Sequence, residues 1–328
     1  MTLYKPIFLF FRPLFLFQVT DNPAFVFQKE GELEQHIVYY FGIAALIIFS
    51  LVVFFVVLFI FRYRQSESAD EEPKQLHGDK RIEVGSLILV AGVVGTFLVF
   101  TVRDIYRIQD IPENPSPDVI ITGHQWWWEA YYPQSGVVTA NEIHIPTGKK
   151  MLLQLESADV VHSWWVPQLG RKMDMLPGIK NFMYTQAGKE SEYTGACSEF
   201  CGAQHAHMRV RLISQNQSDF EAWQQSQLKE AGIPEDPEAV KGMQLFQSKT
   251  CGNCHHINGL NEPKAIGPDL THLAGRKMLF SDYKPNTIDN LKAWLKNPQH
   301  VKPGARMPNF ILNDDEVSQL TAYLNQLN

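Results

Sequence analysis

Residues 37–61, IVYYFGIAALIIFSLVVFFVVLFIF, run for 25 positions without a charge. As a helix rising about 1.5 Å per residue they span about 37 Å, more than the ~30 Å hydrocarbon core of a bilayer. A second uncharged run, 84–102, has 19 residues and is just long enough. The alternative for each is a buried helix of a soluble protein. Arg62, Arg64, Lys74, Lys80 and Arg81 lie between the runs. Only Lys5, Arg12 and Lys29 precede the first, and Arg103 and Arg107 closely follow the second. Lys and Arg alone count in the positive-inside rule, so the loop is expected in the cytoplasm. The reading is a transmembrane helical hairpin, 36–104, with both ends outside and the rest of the chain exported. The N-terminal segment, 1–35, stays open between a poor signal peptide and an interfacial segment. Arg12 and Pro13 break its apolar run and no clear small-x-small cleavage site follows. A net charge of −6 gives no support for nucleic-acid binding.

The exported part changes character along its length. Through 105–213, segments such as DVIITGHQWWWEAYY, NEIHIP, KKMLLQLES, KNFMYTQAG and HMRVRLIS are rich in β-branched and aromatic residues and separated by Gly, Pro and Asn turns. Short strands at this density predict an all-β sandwich or small barrel. Residues 214–236 are polar, with Pro234 inside and Pro237 just beyond, and read as a linker opening with a short helix. Helical patterns at 238–249, 287–296 and 314–327, the last opening on NDDE, predict a small all-α domain over 237–328.

That last domain carries CGNCHH, 251–256. C-x-x-C-H is the attachment signature of a c-type haem: Cys251 and Cys254 supply thioethers and His255 binds iron. Zinc would need further ligands, and His256, His272 and His300 fall at the wrong spacings. Disulfide exchange would need a βαβ setting, whereas the surroundings look helical. Met307, in KPGARMPNF, is the candidate sixth ligand, since His/Met ligation suits a cytochrome c; Met278 is the weaker rival. A backbone carbonyl of IGPDL, 266–270, is placed to orient His255. With these residues the tail, about 240–328, resembles a small class I cytochrome c.

A second cluster is GACSEFCGAQHAHM, 195–208. Cys197, Cys201, His205, Met208 and the carbonyl of Glu199 lie close in sequence, and His162 stands upstream in ESADVVHSWWVPQLGRKMDMLPG. Thiolates, imidazoles and a thioether suit copper. A single blue-copper ion needs only one cysteine, whereas two cysteines bridging two coppers would use both. Four cysteines in an exported chain also invite a two-disulfide reading, but haem and copper account for all four.

The hairpin, GHQWWWEAYY, DVVHSWWVPQLGRKMDMLPG and CSEFCGAQHAHM, in this order over roughly 35–213, resemble cytochrome c oxidase subunit II. The resemblance implies a cupredoxin-like barrel or sandwich holding a dinuclear CuA centre. Cys197 and Cys201 would bridge, with His162 and Met208 on one copper and His205 and the Glu199 carbonyl on the other. It further implies a magnesium site for the Glu199 side chain, shared with subunit I, and an electron-accepting role for Trp126. Quinol oxidase subunits share the fold and lack these ligands. A copper-delivery protein with C-x-x-x-C would lack His205 and Met208.

A haem domain fused to such a subunit resembles caa3-type oxidases. Electrons would pass from cytochrome c or a membrane donor to haem c, then to CuA, then to subunit I, which would reduce oxygen and pump protons. The setting is the bacterial inner membrane, crossed twice, with copper and haem domains on the periplasmic side. A nitric oxide reductase subunit and a stand-alone membrane shuttle are the other readings. Asp159 reads either as a group hydrogen-bonded toward the copper site or partner subunit, or as a turn former. Glu83 reads as an interfacial acid or as the mouth of a proton path in the large subunit. His124, His144, His207, His256 and His300 read as surface or hydrogen-bonded histidines.

Overall fold

A computed structural model describes residues 29–64, 78–108, 111–263 and 266–328. The segment before residue 29 and most of the charged loop between the apolar runs lie outside the described residues. The chain divides into two compact units, Lys29–Pro112 and one that starts at Glu113.

In the first unit, helix α1 (Lys29–Arg62) and helix α2 (Lys80–Ile108) both extend beyond their uncharged runs into flanking polar turns. No part of either apolar window is buried. Side chains such as Phe49, 66% exposed, and Leu87, 70% exposed, point outward, a surface that lipid tolerates and water does not. Phe41 and Phe97 meet edge-on, ring centroids 5.9 Å apart, where the two helices touch.

The second unit begins with ten strands: β1 (Val119–His124), β2 (Trp127–Tyr131), β3 (Val138–Ala140), β4 (Glu142–Pro146), β5 (Met151–Ser157), β6 (His162–Trp164), β7 (Met173–Met175), β8 (Asn181–Thr185), β9 (Ser191–Ala196) and β10 (Arg209–Gln215). One sheet has the order β3-β2-β1-β5-β8, with β1 parallel to β5; the other has the order β4-β10-β9, with β4 parallel to β10. β6 pairs with β7. Facing side chains of both sheets, including Ile121, Trp128, Leu153, Val210 and Leu212, form one core. The domain is thus a mixed β-domain of two sheets on one core, and no sheet closes into the expected barrel among the described residues. The single β-rich segment 118–132 folds as two antiparallel strands, with Gln125 and Trp126 at the turn. Its unbroken aromatic run conceals that corner.

Helix α3 (Gln217–Gln227), capped by Asn216, buries Phe220 and stacks Trp223 on His144 with ring centroids 4.1 Å apart. The chain beyond it is held along the C-terminal bundle. His272 Nε2 lies 3.1 Å from the Gln227 carbonyl, Asn258 Nδ2 donates to the carbonyls of Leu228 and Lys229 at 3.4 and 3.5 Å, and Ala231 N donates to Asn258 O at 3.0 Å.

The bundle comprises α4 (Pro237–Ser248), a small hairpin of β11 (Met278–Leu279) and β12 (Lys284–Pro285), α5 (Ile288–Lys296), α6 (Pro298–Val301) and α7 (Asp314–Leu324). NDDE does start α7: Asn313 and Glu316 form a reciprocal capping box. Phe246, Ile257, Leu291, Leu320 and Tyr323 fill the core. Gly242 lets α4 approach α7, since a Cβ there would meet Gln319 O at 2.0 Å and Tyr323 Cβ at 2.8 Å. Gly242→Ala is therefore expected to destabilise the bundle by about 3 kcal/mol, the upper end for overpacking a backbone contact. Calorimetry of the purified protein would show a lowered bundle transition beside an unchanged β-domain transition.

Candidate metal centres

The first site gathers at one end of the β-domain. His162 opens β6, Cys197 directly follows β9, and Met208 directly precedes β10. The loop between is stitched down: Cys197 N donates to Met208 O at 2.9 Å and Ser198 N to Ser163 O at 2.9 Å. Close approach requires glycine at Gly195, where a Cβ would lie 2.5 Å from Trp165 O. The Sγ atoms of Cys197 and Cys201 stand 3.7 Å apart, and neither is in a disulfide. His162 Nδ1 is 3.8 Å from Cys197 Sγ, His205 Nδ1 is 3.6 Å from Cys201 Sγ, Met208 Sδ is 3.7 Å from Cys201 Sγ, and Glu199 O is 3.2 Å from Cys197 Sγ. His162 and Met208 are fully buried, and Cys197 and Cys201 nearly so.

These donors fit a metal. The sulfur separation is less than twice a metal–thiolate bond of about 2.3 Å, so one ion can touch both. A hydrogen bond with Cys201, working against burial and aided by His162, holds the Cys197 thiol well below its usual pKa. The same bond, with burial, pushes Cys201 up, so the pair carries one thiolate in waiting. Asp159 resolves its two readings by doing both. Its Oδ1 lies 2.8 Å from His162 Nε2 and accepts from Val160 N, and its Oδ2 accepts from Gln125 N at 2.7 Å. That carboxylate leaves Nδ1 of His162 to face the sulfurs. The Glu199 side chain is exposed and accepts from its neighbour Phe200 N at 3.2 Å. Among the described residues, the one group of three or more ligating side chains is His162, Cys197 and Cys201.

The second site lies in the bundle. Cys251 begins a short turn, and His255 N donates to Cys251 O at 3.1 Å. The His255 ring is oriented from IGPDL, as its sequence suggested: Nδ1 lies 2.7 Å from Pro268 O. Gly267 makes room, because a Cβ there would sit 2.7 Å from His255 Cε1. Burial lowers the His255 pKa, outweighing that hydrogen bond and favouring the neutral, ligating imidazole. Cys251, Cys254, His255 and Met307 all line one cavity of about 290 Å³. The residues fit a covalently held haem: two free thiols, an imidazole with its far nitrogen available, and a thioether in one largely apolar space. Met278 lines the same cavity, so its rivalry with Met307 persists. Trp294 Nε1 donates to Met307 Sδ at 3.0 Å, a partner that sequence spacing does not reveal.

Trp126 joins the two sites. The residue lines the cavity of Cys251 and His255, and its Nε1 donates to Cys201 O at 3.0 Å. Trp128 is fully buried, edge-on to Trp164 at 5.3 Å and 6.0 Å from His162, while Trp127 stacks on His124 at 4.2 Å. His144 and His256 are tied to Gln215 and Asp269, and His300 is exposed. His207, next to Met208, stays out of the cluster: its Nδ1 lies 2.8 Å from Gln204 Oε1 and its ring 4.3 Å from that of Tyr283. Glu83 sits in the first turn of α2, in the hairpin unit.

Comparison with known proteins agrees with this anatomy. The family model "Cytochrome C oxidase subunit II, periplasmic domain" matches residues 134–214, and the model "Cytochrome c" matches 239–328. Cytochrome c oxidase subunit 2 of Alkalihalophilus pseudofirmus is 33% identical over 294 residues, which cover 87% of this chain and 83% of that protein. The chain belongs to the cytochrome c oxidase subunit 2 family. Another relative in the family, from Bacillus sp. strain PS3, is 30% identical over 81% of this chain and 80% of its own. Among solved structures, the periplasmic domain of subunit II of cytochrome oxidase from Bradyrhizobium japonicum aligns over 34% of this chain and 95% of its own, at 29% identity and a TM-score of 0.33. As a member of the cytochrome c oxidase subunit 2 family, the protein is a non-catalytic accessory subunit of a haem–copper-type terminal oxidase and works beside other oxidase subunits. It crosses the bacterial inner membrane twice, with its β-domain facing outward.

A half-buried acid in β2, Glu129, makes a pH-dependent prediction. Burial, then Asp269 and Glu156, raise the Glu129 pKa from 4.5 to about 7. A carboxyl whose folded pKa is raised costs stability as pH climbs through 4.5–7, where the unfolded chain ionises first. Glu129→Gln should therefore be neutral near pH 4 and stabilising by up to about 3 kcal/mol at pH 8. Thermal melts of both proteins across that range would check it.

Proposed function

We propose that this chain is the electron-accepting subunit of a caa3-type cytochrome c oxidase, taking electrons at a haem c in the bundle and delivering them from a dinuclear copper centre in the β-domain. Cys251 and Cys254 would hold the haem, with His255 and Met307 as its iron ligands, in a class I cytochrome c domain over 237–328. His162, Cys197, Glu199 through its carbonyl, Cys201, His205 and Met208 would hold the copper pair in a cupredoxin-like domain over 105–213. The bound groups supply one-electron redox chemistry. The chain's own residues do the rest. Pro268 and Asp159 fix the two imidazoles, and burial of His162, Cys197, Cys201 and Met208 keeps the donors dry and limits their rearrangement. The exposed Glu199 carboxylate, which accepts only from its neighbour Phe200 N among the contacts described above, would offer an oxygen to a magnesium ion completed by subunit I.

One observation carries this reading. Trp126 borders the cavity of the proposed haem and hydrogen-bonds the backbone of a proposed copper ligand, Cys201. Trp126 is thus the natural bridge between the sites. Electrons would arrive from cytochrome c or a membrane donor, and the terminal step, oxygen reduction coupled to proton pumping, belongs to subunit I. Purification of the membrane complex, with optical and paramagnetic spectra and an oxygen electrode, tests the proposal. A c-type band, a mixed-valence copper signal and oxygen uptake are expected. A c-type band with no a-, b- or o-type haem and no oxygen uptake would refute it.

A further inference from the structure

Between the two sites lies a constellation that supplies no proposed ligand to either, although Phe280, Ser281 and Lys302 border the cavity of the second. Lys302, just after α6, is 4% exposed. Its Nζ lies 3.2 Å from the carbonyl oxygens of His207 and Phe280, 3.4 Å from that of Trp126, and 3.5 Å from Ser281 Oγ. Two of these acceptors belong to the β-domain and two to the loop joining β11 to β12. Burial lowers the Lys302 pKa to about 8, so near neutral pH it remains largely a cation that depends on these oxygens.

The loop is unusual in its own right. Phe280, Ser281 and Asp282 have φ of 57°, 63° and 58°, three successive non-glycine residues in the left-handed region. Such a run persists only where its surroundings impose it. Here the β-domain imposes it. Ser281 Oγ donates to Trp126 O at 2.5 Å, and Ser281 O accepts from Arg209 N at 3.2 Å. The Asp282 carboxylate receives Arg211 Nε at 2.8 Å and a second guanidinium nitrogen at 3.4 Å. Lys277 N donates to a Glu142 carboxylate oxygen at 3.0 Å, and Arg306 bonds to Gln125.

We propose that Lys302 and the left-handed loop 280–282 form a latch that sets the orientation of the bundle on the β-domain, with Lys302 a positioning residue for electron transfer between the two sites. The latch grips the backbone of Trp126, a residue that borders the cavity of one site and whose indole nitrogen bonds the backbone of the other. It therefore fixes the bridge and both domains together. A neutral side chain at 302 takes this donor from the His207 and Phe280 carbonyls and removes one of the contacts that hold the loop. The inference rests on the electron path proposed above, and its test separates the two.

The test uses the purified complex carrying Lys302→Met, which retains an apolar stem. Electron transfer from haem to copper, after rapid reduction by ascorbate through a small mediator, should slow about tenfold as the docked population falls. It should also become sensitive to solvent viscosity, because domain motion would now limit it. Both spectra and the rate of haem reduction by the mediator should stay as in the wild type. Hydrogen exchange should quicken at the amides of Arg209 and Lys277, which bond across the domains, and not at Cys197, whose amide bonds within one. A wild-type transfer rate with unchanged exchange overturns the latch. If Lys302→Met does not accumulate, Ser281→Ala, which removes the hydroxyl donated to Trp126, should show the same signs more weakly; unchanged transfer and exchange there also overturn it. If the wild-type complex passes no electrons from haem to copper, the proposed path falls, and faster exchange at Arg209 and Lys277 would still uphold the latch.

Discussion

Cys197→Ser is expected to abolish the mixed-valence copper signal while leaving a c-type haem spectrum intact. Cys197 lies within 3.8 Å of His162 Nδ1, Cys201 Sγ and the Glu199 carbonyl, so removing its sulfur disturbs most of the donor set at once. A serine hydroxyl is a hard donor that does not ionise near neutral pH, and copper favours soft sulfur. Loss of a supporting group alone costs roughly 10–100-fold in metal affinity, and loss of a bridging ligand should cost more. Oxygen uptake by the complex should fall accordingly, while Cys251 and Cys254 still hold their haem. Metal analysis and paramagnetic spectra would check the variant. A surviving binuclear signal would disprove the bridging assignment.

Met307→Ala is expected to leave the haem covalently attached and to change its iron. Under the proposed attachment, thioethers at Cys251 and Cys254 would keep the group in place, so its yield should match the wild type. Without sulfur, the iron should change spin state and its potential should fall, within the ~0.8 V range that axial ligands command. Trp294 Nε1 loses its acceptor in the same substitution, so the pocket loosens on that side as well. Optical spectra and a redox titration measure both effects. Because Met278 lines the same cavity, Met278→Ala is the matched control. An unchanged spectrum in Met307→Ala with a changed one in Met278→Ala would move the ligand to β11.

The parts legible in the sequence are those whose physics is local. A 25-residue uncharged run declares a spanning helix by length alone, and C-x-x-C-H places two thiols and an imidazole within one turn. The loop carrying Cys197, Cys201, His205 and Met208 is similarly compact in the chain, and His162 joins it because the end of β9 lies beside β6. What stayed hidden depends on separations that no local pattern encodes. Arg211 meets Asp282 71 positions away, and Lys302 meets His207 95 positions away. Neither residue stands in a recognisable motif, and a lysine in a loop ordinarily reads as solvated. The hairpin corner at Gln125 and Trp126 was hidden for the opposite reason: Val119 to Thr122 on one side and the tryptophans on the other favour a strand.

The lacing of residues 227–231 along the bundle has a consequence for how the protein behaves in changing surroundings. A carrier that diffuses to its acceptor is held there by complementary charge, and that hold weakens as salt rises. A carrier on a loose leash gains a local concentration in the millimolar range but must still search. Here the connecting segment is splinted to the bundle through Asn258 and His272. Passage between the two sites should therefore be indifferent to dilution. Only the arrival of an outside donor should register it, so the dependence of turnover on donor concentration reports on that encounter alone.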